Sequence, residues 1–155
     1  MISLSESDKK LLYVLQYNFP LVREPWKTIA ESLGMSEEEV LKRVKQLMDE
    51  GIIRRIGPIF DARKIGFGAS TLVAAKVPSE DIERIAGIIS QFENVTHNYQ
   101  RKHEYNLWFT VLAKNHKDLQ LILEKIKSIT GLKDILDLPT SKSFKTDVRF
   151  DFGEK

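Results

Sequence analysis

The sequence predicts an α+β protein in which an N-terminal winged helix-turn-helix precedes a ferredoxin-like βαββαβ domain. Three observations predict it. Apolar residues recur at helical spacing through roughly the first fifty positions. From Ala69 onward the period changes to strand-like alternation, interrupted by two further helical stretches. Between the two regimes Ile52 to Phe60 (IIRRIGPIF) alternates around Gly57-Pro58, as a short β wing does. The expected division is 1-62 for the first domain and 63-155 for the second, joined near Lys64 to Gly68 (KIGFG).

Each element has a local reason. Ser5 can cap a first helix, with Asp8 in the first turn where the helix dipole favours an anion. Leu11, Leu12, Leu15 and Phe19 form its apolar stripe. Pro20 and Pro25 bracket a connection, and Trp26 to Leu33 is a second helix stopped by Gly34. Trp26 is expected in the core rather than in a site. Ser36 to Glu39 reads as a capping box, opening a third helix with Val40, Val44, Leu47 and Met48 inward and Gly51 at its end.

In the second domain Ala69 to Val77 is the first strand, and Pro78-Ser79 starts a helix with Ile82, Ile85, Ala86 and Ile89 inward. Val95 to Gln100 and Tyr105 to Leu112 are the two arms of a hairpin. His116 to Ile129 is a helix, which makes His116 a surface or capping residue. Leu132 to Leu138 is the fourth strand, and Phe144 to Phe152 (FKTDVRFDF) alternates as an added edge strand would. A sheet of this kind carries helices on one face only. The other face must be covered, commonly by a second subunit.

Composition narrows the chemistry. The chain of 155 residues has no cysteine, which excludes disulfides, thiolate zinc sites, iron–sulfur clusters and a cysteine nucleophile. Net charge is only +2, weak support for a nucleic-acid binder. The polar start MISLSESDKK is no signal peptide, and no apolar run reaches membrane length. A cytoplasmic protein with no membrane contact is expected.

Chemistry concentrates on the hairpin. Two of the three histidines, two of the four tyrosines and one of the two tryptophans lie between Val95 and Val111. Residues two apart share a face of a strand, so His97, Tyr99 and Arg101 align, with Val95 before them. Asn106, Trp108 and Thr110 share a face of the return arm, but the sequence alone does not say which faces coincide. An imidazole, a phenol and a guanidinium in line suit an anionic aromatic ligand. Arginine holds carboxylates through a two-pronged fork, and histidine donates a proton near neutrality or ligates a metal. Strand propensity alone also favours Tyr, Trp and Phe here, and Lys102-His103-Glu104 reads as a polar turn.

The order of domains resembles the leucine-responsive (feast/famine) regulator family. In that family the N-terminal end of the third helix meets DNA. Here that end carries Glu37, Glu38 and Glu39, which oppose phosphate binding, so DNA is not the expected partner. The hairpin signature His97-Asn-Tyr-x-Arg101 with Tyr105-Asn-Leu-Trp-Phe109, and the stretch Ile53 to Gly66 (IRRIGPIFDARKIG), resemble the siroheme decarboxylases of haem and haem d1 biosynthesis. That resemblance implies removal of carboxyl groups from two acetate side chains of siroheme, giving didecarboxysiroheme. It also implies an assembly with a related second subunit, or with a second copy as a homodimer.

The resemblance gives the hairpin roles. His97 is expected to donate a proton or to ligate the siroheme iron, Arg101 to clamp a carboxylate, and Tyr99 to orient substrate or relay a proton. Trp108 would line the pocket or stack on the macrocycle, with Asn106 and His103 as further contacts. Arg54, Arg55, Arg63 and Arg149 are candidate cations for the remaining carboxylates. Arg54 and Arg55 alternate, so at most one faces a pocket in the neighbouring domain. Protonation of the pyrrole supplies the electron sink, so no thiamine, pyridoxal, flavin or protein-held metal is expected beyond the iron of the substrate. The competing expectations are a ligand-responsive DNA-binding regulator and a tetrapyrrole sensor or carrier without catalysis.

Overall fold

A computed structural model describes residues 4–145 and 148–153. The chain forms two compact units. The first ends at Pro58 and also takes in the described residues after Phe144; the second is Ile59–Phe144. The expected break at residue 62 had assigned the C-terminal stretch to the second domain, and the structure returns it to the first.

In the first unit, α1 (Glu6–Tyr17), α2 (Pro25–Leu33) and α3 (Glu37–Asp49) are the three expected helices. Ser5 caps α1 and Ser36 caps α3, each in a reciprocal capping box with Asp8 or Glu39 three residues on. Pro25 sits in the first turn of α2, where its missing N–H costs nothing, and Gly34 ends the helix in the left-handed region at φ +66°. Leu11, Ile29, Val40 and Leu47 form the core, each removed almost completely from water. Each such burial contributes about 1.5–3 kcal/mol. Trp26 packs against this core and meets the Phe19 ring edge-on at 5.6 Å, as expected of a core residue.

A buried ion pair ties α1 to α3. The Asp8 carboxylate is 1% exposed and accepts from Nε and Nη2 of Arg43, and from the backbone and hydroxyl of Ser5. These donors, Arg43 foremost, hold its carboxyl down to about 2.

The expected wing does not form. Ile52 and Ile53 each donate a backbone N–H to the Leu47 carbonyl, closing α3, but residues 54–60 are exposed and belong to no strand. A wing needs a partner strand. Pro58 has no N–H to offer one, and no returning segment pairs with this stretch among the described residues. Nor does Phe144 to Phe152 extend the sheet. Residues 146–147 of that stretch lie outside the described residues, and the described remainder is not a strand. Phe150 instead donates its N–H to Gln16 Oε1 and accepts from Gln16 Nε2, both at 3.0 Å, and Phe152 packs against the core of the first unit. The Gln16 amide therefore satisfies the backbone groups that an edge strand would have offered to the sheet.

The second unit contains β1 (Ala69–Ala75), a short 3-10 turn (Ser79–Asp81), α4 (Ile82–Ser90), β2 (Val95–Gln100), β3 (Leu107–Ala113), α5 (His116–Thr130) and β4 (Ile135–Pro139). The antiparallel sheet has the order β2-β3-β1-β4, which is the ferredoxin-like arrangement. Three strands are shorter at one end than expected. Val77, Tyr105 and Leu132 all lie outside them, and their backbone N–H groups go to the side chains of Asn106, His103 and Thr130. His116 is the exposed first residue of α5, and Asn115 caps that helix. Val73, Phe109, Val111, Ile85, Ile89, Leu123 and Ile126 join the sheet to α4 and α5 in one core. No helix among the described residues is long and apolar enough to cross a membrane.

Candidate active site

The sheet register answers what periodicity left open. Asn98 pairs with Phe109, and Gln100 with Leu107, on the face covered by helices. His97 pairs with Thr110 and Tyr99 with Trp108, which places these four on the opposite, open face. Asn98 confirms the assignment: its Nδ2 donates to the Ala86 carbonyl and to Ser90 Oγ on α4.

A bulge between Val95 and His97 makes this arrangement possible. In a regular strand Val95 and His97 would share a face, as expected from the sequence. Here Val95 pairs with Val111 and packs against the core, while the extra residue, Thr96, turns His97 outward. Thr96 Oγ1 lies 2.9 Å from His97 Nδ1 and helps fix the ring.

On the open face the His97 and Tyr99 rings are stacked at 6.1 Å between centroids. The Arg101 guanidinium carbon sits 5.9 Å from the Tyr99 ring centre. Tyr99 is 53% exposed, and His97 and Arg101 are exposed too. His103 lies against the edge of Trp108 with centroids 6.5 Å apart. Five of the expected site residues, His97, Tyr99, Arg101, His103 and Trp108, thus line one side of the hairpin. They supply donors, a cation and flat aromatic surface. Leu72, Leu136 and Leu138, about two-fifths exposed, continue this face across β1 and β4.

The other expected residues fall elsewhere. Asn106 is engaged with backbone: Val77 donates its N–H to Asn106 Oδ1, and Asn106 Nδ2 donates to the Val77 carbonyl, at 2.9 and 2.8 Å. Its amide joins the segment after β1 to the segment before β3. Arg63 is exposed on the turn before β1. Arg54, Arg55 and Arg149 belong to the first unit. Arg54 and Arg55 both line a largely apolar groove of about 790 Å³ with Leu12, Phe19, Ile56 and Phe152. The Arg149 guanidinium lies over the Tyr17 ring at 4.8 Å.

The sequence reading missed a set of groups that fasten the hairpin tip. Lys76 Nζ donates to Glu104 at 2.6 Å, which raises the ammonium pKa and lowers that of the carboxyl. The Tyr105 hydroxyl donates to Asp134 Oδ1 at 3.0 Å, and this bond raises the phenol pKa. Asp134 lies just before β4, and no sequence signal marks it as a partner of the hairpin.

Two family descriptions match the chain. Residues 8–54 match the siroheme decarboxylase NirDL-like HTH domain. Residues 64–145 match the AsnC-like ligand binding domain. The siroheme decarboxylase alpha subunit of Desulfovibrio desulfuricans is 41% identical over 98% of this chain and 86% of its own length. The chain belongs to the siroheme decarboxylase family. The siroheme decarboxylase NirD subunit of Pseudomonas aeruginosa is likewise 41% identical, over 95% of this chain and 96% of its own. Among solved structures, the siroheme decarboxylase NirDL in co-complex with an iron-uroporphyrin III analogue superposes with a TM-score of 0.66 at 34% identity. That match covers 86% of this chain but only 44% of the solved chain, so this chain spans about half the length of that relative.

Proposed function

We propose that this chain is a siroheme decarboxylase subunit that removes carboxyl groups from two acetate side chains of siroheme, giving didecarboxysiroheme. The observation that carries the reading is the alignment of His97, Tyr99 and Arg101 beside Trp108 on the face that the helices leave open. Siroheme is a flat macrocycle rimmed by carboxylates, and this surface offers both an aromatic wall and a guanidinium fork. Family membership and the solved relative's complex with an iron-uroporphyrin analogue support the choice of ligand class.

In this reading the reaction consumes one proton and releases one carbon dioxide per acetate. Protonation of the pyrrole makes it electron-deficient. The carbon–carbon bond to the carboxylate then breaks into that sink, and the methylene left behind becomes a methyl group after proton redistribution. His97 donates the proton, Arg101 holds the departing carboxylate in place, and Tyr99 orients the ring or relays a proton. His103 and Trp108 complete the wall, and Arg63, in the same unit, is a candidate for an outer carboxylate. No organic cofactor takes part, and the only metal is the iron of the substrate. Ligation of that iron by His97 is the alternative role for the same imidazole.

The working assembly pairs this chain with a related subunit or a second copy. The relatives carry subunit names, and the half-exposed leucines of the open face suit such a cover. A cytoplasmic location is part of the proposal. DNA is not the proposed partner. Three carboxylates crowd the start of α3, and the Arg43 guanidinium on that helix is committed to Asp8.

The test is an anaerobic comparison of wild type, His97→Ala and Arg101→Ala for siroheme binding and turnover. His97→Ala should bind siroheme normally and turn over at least about a hundredfold more slowly. Equal rates would remove His97 from the mechanism, and unchanged affinity and rate in Arg101→Ala would remove the clamp.

A further inference from the structure

The hairpin tip contains a residue whose every polar group is engaged. The Tyr105 backbone N–H donates to His103 Nδ1 at 3.1 Å. Its carbonyl accepts from Trp108 Nε1 at 2.7 Å. Its ring stacks on the His103 imidazole at 6.3 Å with the planes 25° apart. Its hydroxyl reaches Asp134, whose own backbone carbonyl accepts from the Lys76 N–H. Tyr105 thereby links two groups of the open face, His103 and Trp108, through its backbone to the segment that precedes β4, which its hydroxyl reaches.

The bond at His103 Nδ1 has a chemical consequence. A nitrogen that accepts from a backbone N–H carries no proton of its own. A neutral His103 therefore bears its hydrogen on Nε2. In that form Nε2 donates a hydrogen bond and cannot ligate a metal. The geometry points to Tyr105 as a positioning residue of the siroheme site: anchored on Asp134, it holds His103 as an Nε2–H donor toward a substrate carboxylate and fixes the plane of Trp108. The inference rests on the decarboxylase reading of the same surface. It separates the two histidines, leaving His97 as the one that can serve as acid or iron ligand.

Tyr105→Phe tests this, because it keeps the ring and both backbone groups and removes only the anchor to Asp134. Nitrogen-15 NMR of the three imidazoles reads the His103 tautomer directly in the full chain without ligand. Wild type should show His103 with its hydrogen on Nε2, and Tyr105→Phe should show a mixture of tautomers. In the siroheme assay the variant should lose about tenfold in kcat with KM changed less than about twofold, since misplacement acts on the reacting geometry more than on overall binding. Asp134→Asn should fall on the same side. A wild-type His103 with its hydrogen on Nδ1, or a Tyr105→Phe that matches wild type in tautomer or in kcat, overturns the inference. A wild type that fails to turn over siroheme both alone and with a related subunit overturns the decarboxylase reading and the inference with it, so the two failures are told apart by the wild-type control.

Discussion

Arg43→Ala removes the partner of a buried carboxylate in the first unit, and its cost can be worked from the structure. Asp8 is held from the ordinary 3.8 to about 2, a difference worth about 2 kcal/mol of folding stability at neutral pH. Ser5 supplies part of that, and Arg43 itself is one-third exposed, which screens the pair. Against this, removing Arg43 strands a buried carboxylate, which is costlier than losing the pair's attraction alone. The expected loss is about 2–3 kcal/mol at pH 7. The sign with pH follows from the lowered value. The folded pKa lies below the unfolded one, so the contribution is complete above about pH 4–5 and fades as pH falls toward 2. The gap between wild type and variant should therefore narrow on acidification. Urea unfolding followed by Trp26 fluorescence reads this unit, provided both proteins also carry Trp108→Phe to silence the second one. A cost under about 0.5 kcal/mol at pH 7, the level of an exposed pair, would refute the reasoning. So would a cost that does not change with pH.

Two further outcomes are expected. Asn106→Ala should destabilise the second unit by about 1–3 kcal/mol through its two lost bonds to Val77, measured by urea unfolding followed by Trp108 fluorescence; a drop in siroheme affinity at unchanged stability would instead assign it a role as a ligand contact. Arg101→Lys keeps the charge and loses the fork, so siroheme affinity measured by absorption titration should fall about tenfold, and an unchanged affinity would mean that charge alone suffices.

The elements with local causes were readable in the sequence. Ser5 with Asp8, and Ser36 with Glu39, announce helix starts through contacts three residues apart, and both capping boxes are present. The βαββαβ order followed from periodicity, and so did the alignment of His97, Tyr99 and Arg101. The partner face did not, because it depends on the register of β2 against β3 and on a bulge at Thr96 that no residue type there signals. Alternation misled at Ile52 to Phe60 and at Phe144 to Phe152. Period two marks a chain that can be extended, but a strand also needs a neighbour, and the Gln16 amide took that place at Phe150. Asn106 reads as a site residue because it shares the spacing of Trp108, and only the position of Val77 shows where its amide is used. Asp134 is silent in the sequence for the same reason: its importance lies in a contact made by folding, not in its neighbours.

Decarboxylation is tested most directly by anaerobic incubation of the purified chain with siroheme, alone and with a related subunit, followed by mass spectrometry of the pigment. The predicted result is stepwise loss of first one and then two carbon dioxide units in at least one of these conditions. Siroheme recovered unchanged in both, though bound, would contradict the decarboxylase and leave a tetrapyrrole carrier or sensor in its place.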